Sequence, residues 1–196
     1  MEKKKIIIVG AGPGGLAAGM ILSKQGFDVI IYEKKETVGG RNAPIKLNEF
    51  TFDTGPTFFH MKNVLEEIFE FTGRKLENYV KLTELNPMYK LVYDKNRALN
   101  MTRDEQEMIN QIETLFPGDS GGYHKYMKAE REKFERLMPC LQVPYSRFSD
   151  FLTKRFITAL PYLDANTSLF NVLGRYYKND DLKTAFTFQA KYIGMS

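Results

Sequence analysis

The apolar positions of this 196-residue chain change their spacing from one region to the next, and each spacing predicts an element. Ile6-Ile7-Ile8-Val9 is a run of four β-branched residues with no polar alternation. That pattern predicts a parallel strand covered on both faces. Helical spacing follows over Leu16 to Gln25, with Gly26 placed to end the helix as its C′ residue. Phe27-Asp28-Val29-Ile30-Ile31-Tyr32 then reads as a second strand, so the chain opens as a βαβ unit.

The pattern continues differently downstream. Val64, Leu65, Ile68, Phe69 and Phe71 recur near helical spacing between Met61 and Thr72, with Gly73 as the stop. Met88 to Tyr93 and Ala98 to Met101 flank Asp94-Lys95-Asn96-Arg97 and predict a hairpin, the start of a different architecture. Thr102-Arg103-Asp104-Glu105 reads as a capping box opening a helix to about Leu115, ended by Phe116-Pro117-Gly118. A further helix is expected from about Gly122 to Met138. Around Ser149 to Leu160, the residues Phe148, Phe151, Leu152, Phe156, Ala159 and Leu160 form one helical stripe, with Arg147, Lys154 and Arg155 largely off it. Such a stripe either packs on its own core or lies in a bilayer interface. The last stretch carries Phe170, Tyr176, Tyr177, Phe186, Phe188 and Tyr192, a composition that serves a core or an apolar substrate tunnel equally well.

Candidate chemistry sits between the elements of the βαβ unit. Gly10-Ala11-Gly12-Pro13-Gly14-Gly15 follows the first strand and matches G-x-G-x-x-G through Gly10, Gly12 and Gly15. The first glycine permits a tight turn, the second leaves room for a pyrophosphate, and the third lets helix and strand pack closely. The helix that follows aims unpaired amides and the positive end of its dipole at the phosphates. Glu33 lies 18 positions beyond Gly15, close to the roughly 20 expected of the acid that binds ribose hydroxyls. A carboxylate there repels a 2′-phosphate, which disfavours NADP. A second glycine signal, Val38-Gly39-Gly40-Arg41, follows Glu33-Lys34, and Phe52-Asp53-Thr54-Gly55-Pro56-Thr57 comes after it. The glycine pair allows close backbone approach, and Arg41 offers a fork of donors to phosphate oxygens.

This motif set resembles the flavin amine-oxidase and phytoene-desaturase superfamily, and within it the carotenoid desaturases, bacterial phytoene and dehydrosqualene desaturases in particular. The specific part of the resemblance lies in the first sixty residues. Lys183-Thr184-Ala185-Phe186-Thr187-Phe188-Gln189-Ala190-Lys191-Tyr192-Ile193-Gly194 is similar to a helix of that family. The resemblance implies FAD as cofactor, with Gly10, Ala11, Gly12, Pro13, Gly14, Gly15, Glu33, Lys34, Gly39, Gly40 and Arg41 around the nucleotide. Gly55, Pro56 and Thr57 would lie beside the flavin. It further implies dehydrogenation of a long isoprenoid by hydride transfer to flavin N5 with proton loss from the neighbouring carbon. Other oxidoreductases of the superfamily, among them amine oxidases and isoprenoid oxygenases or isomerases, share these motifs. Carriers of prenylated GTPases share the fold without using a flavin, and intact Gly10, Gly12, Gly15 and Glu33 argue against that reading. No catalytic acid or base is identified; Asp53 is a candidate by location, a turn-stabilising carboxylate by its simplest reading.

The expected fold class is therefore α/β, a Rossmann-like start followed by a mixed α+β, mainly helical portion. Residues 1–85 are expected to form the nucleotide-binding part, and 86–196 the start of a substrate- or membrane-associating part. The chain is expected to be the N-terminal portion of a considerably longer protein and, by itself, inactive. Composition refines this only at the margins. The fractions of 43% hydrophobic and 27% charged residues are those of a soluble globular protein. A single Cys140 precludes an internal disulfide, which suits the cytoplasm, with the inner membrane face as the place of any peripheral contact. Two histidines, His60 and His124, make no metal-ligand cluster. The net charge of +4 comes with no nucleic-acid motif, and an anionic membrane surface accounts for it as well.

Overall fold

The computed structural model describes residues 3–53, 55, 58–188 and 190. The chain divides into two compact units, Met1–Thr83 and Glu84–Ser196. The first unit begins with β1 (Lys5–Val9), α1 (Pro13–Lys24) and β2 (Asp28–Tyr32). The two strands are parallel, in register from Lys5 opposite Asp28 to Val9 opposite Tyr32. Helix α1 starts three residues before the expected Leu16, because Pro13 at its first position carries a φ already suited to the helix and lacks only a donor that would go unused. Its end is a Schellman motif. Gly26 has φ +94°, its N–H donates to the Ser23 carbonyl at 3.1 Å, and the Phe27 N–H donates to the Leu22 carbonyl at 3.2 Å.

The two-faced burial expected of β1 is not found. Ile6 and Ile8 turn toward α1 and are half-buried, whereas Ile7 is 59% and Val9 87% exposed. One helix covers one face of a two-stranded sheet, so the pleat sorts an unbroken apolar run into an inner and an outer set. After β2 the first unit continues with the antiparallel hairpin β3 (Ile45–Leu47) and β4 (Phe50–Phe52), and with α2 (Lys62–Phe71) packed beside α1. Gly73, at φ +78°, ends α2 as expected, and the Arg74 N–H reaches back to the Phe69 carbonyl at 2.8 Å.

The second unit opens with the expected hairpin, β5 (Tyr89–Val92) against β6 (Ala98–Met101). Helix α3 (Glu105–Leu115) follows, but its cap differs from the expected box. Asp104 is the N-cap, its side chain accepting from the Glu107 N–H at 2.9 Å, while the Thr102 hydroxyl donates to Asn86 Oδ1. Thr102 is buried inside the hairpin's end and is therefore spent before the helix begins. Next come α4 (Ser120–Leu141), α5 (Lys154–Ala159), α6 (Leu169–Leu173) and α7 (Asp180–Thr187). Leu99, Met108, Ile112, Tyr126, Leu173, Tyr177 and Leu182 form the core of this unit. Its aromatic residues pack on one another: the Tyr177 and Phe186 rings are stacked 5.1 Å apart, and both meet Tyr126. Core packing thus accounts for Tyr176, Tyr177 and Phe186; Tyr192 and the rest of 191–194 lie outside the described residues.

The single helix expected over Ser149–Leu160 is divided in two. A 3-10 turn over Phe148–Leu152 is wound by Asp150, whose carboxylate accepts from the Ser146 and Arg147 amides at 2.8 Å each. Thr153 is extended, at ψ 146°, and its hydroxyl caps α5. A local capping bond satisfies the new helix end and so competes with continuing the old helix. Of the stripe, Phe156 and Ala159 turn inward, while Phe148, Phe151, Leu152 and Leu160 are exposed.

Two buried features lock this unit. Asp119, only 5% exposed, accepts from the Lys178 N–H at 2.9 Å and the Asn179 N–H at 2.7 Å, tying the start of α4 to the start of α7. At Gly122 a Cβ would overlap the Tyr176 carbonyl, so α4 approaches that segment at backbone distance. Asp119→Ala is expected to cost roughly 2–4 kcal/mol in urea unfolding, because it strands buried amide donors. Gly122→Ala is expected to cost roughly 1–3 kcal/mol through forced backbone displacement. Gly19→Ala in α1 serves as the contrast. Its Cβ would meet the Cδ1 end of Ile31 at 2.8 Å, which can turn away, so the unfolding midpoint should move much less.

Candidate dinucleotide site

Strand β1 delivers the glycine loop to the amino end of α1. Gly10 leaves the strand at φ +99°, and its N–H donates to the Tyr32 carbonyl at 2.7 Å, extending the ladder by one rung. Gly12 is the N-cap of α1, extended at φ −76° and ψ 177°, with no side chain to cap the helix. Pro13 follows, exposed, and the first helical bond runs from the Leu16 N–H to the Gly12 carbonyl at 2.9 Å. The forward-facing amides of this first turn stay available to an anion, and the helix dipole favours negative charge there. At Gly15 a Cβ would overlap the Gly10 carbonyl and touch Ile8 Cγ2 at 3.4 Å. The third glycine is thus what allows α1 to sit against β1. A Cβ on Gly14 would meet nothing within 4 Å.

The second glycine signal folds against the first. Gly39 has φ +114° and Gly40 φ +58°, and a 3-10 turn runs over Gly40–Asn42. The Gly39 N–H donates to the Ala11 carbonyl at 2.8 Å. A Cβ on Gly40 would come within 3.1 Å of Gly12 Cα, so the two loops meet backbone to backbone. Gly55 lies against the same turn, since a Cβ there would overlap the Arg41 carbonyl. Arg41 and Lys34 are exposed at the rim. Pro56 and Thr57 lie outside the described residues, and Asp53 is exposed.

Glu33, at the end of β2, is half-buried and turned onto the glycine loop. Its Oε2 accepts from the Ala11 N–H at 2.8 Å and its Oε1 from the Lys35 N–H at 3.0 Å. These two amides, Lys35 foremost and then Ala11, hold the carboxyl below the usual glutamate range despite some desolvation. The spacing of Glu33 from Gly15 makes it the expected ribose ligand, but nothing in the sequence announces its bond to Ala11 or the seating of Gly40 on Gly12.

A dinucleotide fits this cradle. Gly12 and Gly40 leave no side chain between the two loop backbones, a helix end with no side-chain cap supplies donors, and the exposed Arg41 directly follows Gly40. Among the described residues no group of three or more His, Cys, Asp or Glu could hold a metal ion. A cleft of about 600 Å³ runs along α2, lined by Lys62, Glu66, Glu70, Lys75, Leu76 and Val80, and none of these belongs to the glycine loops.

Gly15→Ala is expected to abolish dinucleotide binding, read by equilibrium titration, while Gly14→Ala leaves it within about threefold, because only the first collides with backbone. The charge of Glu33 gives a pH dependence. Its folded value is depressed, so its contribution is fully present above the ordinary glutamate value of 4.5 and is lost as pH falls through the lower folded value. Thermal unfolding between neutral pH and acid should therefore decline less steeply in Glu33→Gln than in the wild type.

Residues 8–73 match the family model of an NAD(P)-binding Rossmann-like domain. A 4,4′-diapophytoene desaturase (4,4′-diapolycopene-forming) of Methylomonas sp is 48% identical over 193 residues, 98% of this chain and 38% of that protein. A zeta-carotene-forming phytoene desaturase of Myxococcus xanthus is 31% identical over 196 residues, 100% of the chain and 38% of the relative. A phytoene desaturase (lycopene-forming) of Pantoea ananas is 31% identical over 192 residues, 97% of the chain and 39% of the relative. The chain therefore spans under two fifths of the length of these relatives. Together with the Rossmann-like match they point to a flavin or nucleotide cofactor. The chain is thus similar over nearly its whole length to part of diapophytoene and phytoene desaturases, and residues 8–73 match an NAD(P)-binding Rossmann-like domain.

Proposed function

We propose that this chain is the dinucleotide-holding part of an FAD-dependent oxidoreductase that desaturates a long acyclic isoprenoid of the phytoene or diapophytoene type. The meeting of Gly12 with Gly40, with Glu33 on the Ala11 amide between β1 and β2, is the observation that carries it. Two glycine loops in contact provide a longer backbone cradle than a mononucleotide phosphate needs. In this reading Gly10, Ala11, Gly12, Pro13, Gly14 and Gly15 hold the diphosphate at the helix end. Glu33 takes the ribose hydroxyls, Lys34 stands beside the ribose, and Gly39, Gly40 and Arg41 close over the phosphate oxygens. In the same reading Gly55 lines the approach to the flavin ring. The flavin, when bound, supplies an acceptor for hydride from an unactivated C–C bond, chemistry no side chain offers. What the chain itself contributes is orientation and neutralisation of the diphosphate.

The unit 1–83 is read as the nucleotide part and 84–196 as the start of a part that meets apolar substrate. Its surface supports a membrane contact at the cytoplasmic face. Leu141, Phe148, Leu152, Ile157, Leu160 and Leu163 are all at least 44% exposed, with Arg147, Lys154 and Arg155 exposed among them. Apolar side chains interleaved with cations suit the headgroup region of an anionic bilayer. Among the described residues no helix is long and apolar enough to cross a membrane, and the contact proposed is a peripheral one.

The absorption spectrum of the purified full-length protein tests the cofactor. Flavin bands are expected; a colourless protein that binds a nicotinamide dinucleotide refutes the assignment. Co-expression with a colourless source of phytoene or diapophytoene should yield a visible polyene chromophore, and its absence with flavin bound refutes desaturation. Replacing Phe148 and Leu160 with serine is expected to weaken co-sedimentation with anionic vesicles by about tenfold or more. Unchanged vesicle binding removes the membrane contact.

A further inference from the structure

Glu33 is accounted for as a ribose ligand, yet in the structure both of its carboxylate oxygens are engaged by backbone. Oε2 accepts from the Ala11 N–H at 2.8 Å, and Oε1 from the Lys35 N–H at 3.0 Å. The other side of Ala11 is engaged as well, because its carbonyl accepts from the Gly39 N–H at 2.8 Å. Ala11 is buried, 2% exposed, and it sits between two glycines that impose little torsional restraint of their own. Without a partner for its N–H, the orientation of the residue between Gly10 and Gly12 would be set by one bond instead of two. Glu33, Ala11 and Gly39 therefore form a relay, carboxylate to amide and carbonyl to amide, from the end of β2 across the first glycine loop to the second.

We infer that Glu33 is a positioning residue that holds the Ala11 peptide and, through it, the Gly39–Gly40 turn, assembling both loops before any nucleotide binds. An ionised carboxylate has about four lone-pair directions on its two oxygens. Two are used here, so the ribose hydroxyls can join the amides at Glu33 without displacing them. The same charge that reads the ribose also shapes the phosphate cradle. This second role rests on the dinucleotide reading of the site, whereas the clamp itself is a property of the nucleotide-free chain.

Amide hydrogen exchange on the nucleotide-free protein separates the two. In Glu33→Ala the amides of Ala11 and Gly39 should exchange about tenfold faster or more, the protection of one charge-assisted bond and its dependent neighbour. The Gly10 amide, bonded to the Tyr32 carbonyl, should keep its wild-type rate. Unchanged exchange at Ala11 and Gly39 overturns the clamp. If Glu33→Ala loses protection throughout β1 and β2, Glu33→Gln decides. Glutamine brings one acceptor oxygen for two amides, so faster exchange at Ala11 or Lys35 supports the clamp and no change at either overturns it. Adding ADP to the wild type tests the shared role, with binding followed separately by calorimetry. Bound ADP with Ala11 and Gly39 still protected supports it, and accelerated exchange on binding overturns it. Failure of ADP to bind removes the nucleotide reading and the ribose role with it, and leaves the clamp to the nucleotide-free result.

Discussion

The close seating of α1 on β1 is the contact from which the rest of the first unit follows. It depends on Gly15, where the space a Cβ would take is already filled by the Gly10 carbonyl. With that approach in place, the helix end lies directly over the strand end, and Gly12 is left bare at the N-cap. Gly40 can then meet Gly12, and Ala11 comes within reach of both Glu33 and Gly39. Push α1 away by the width of a methyl group and each of these short contacts opens together, since packed backbone has no slack to absorb it.

Electrostatics in the unit follow the same geometry. A helix with no side-chain cap, a half-buried carboxylate drawn to two amides and an exposed Arg41 all belong to the two glycine loops and their flanks. The carboxylate is stabilised in its charged form, and the helix end and guanidinium favour an anion nearby. In the proposed reading the negative group would face the ribose, and the helix end and Arg41 the phosphates.

The second unit reaches order by a different route, through a core of aromatic and apolar side chains stitched by buried backbone contacts at Asp119 and Gly122. Around 148–160, capping at Asp150 and Thr153 breaks what reads as one amphipathic helix. The break lets Phe156 and Ala159 turn inward while Phe148 and Leu160 remain outside. A strict helical stripe would have sent all six residues the same way.

Much of this was legible in the residues themselves. Glycines at positions 10, 26 and 73, the run Ile6–Val9 and the hairpin around Asp94–Arg97 act locally, through φ values and pleat or helix periodicity, and they announce their elements without help from distant chain. Three matters were decided only by tertiary structure: which face of β1 is covered, which threonine or aspartate caps a helix, and which loop touches which. Each depends on whether another element happens to stand within reach, as Thr102 is claimed by Asn86 and Gly40 by Gly12. Local conformation is written in the side chain's own sterics; a contact between residues dozens of positions apart is set by how the elements pack, and no residue type encodes it alone.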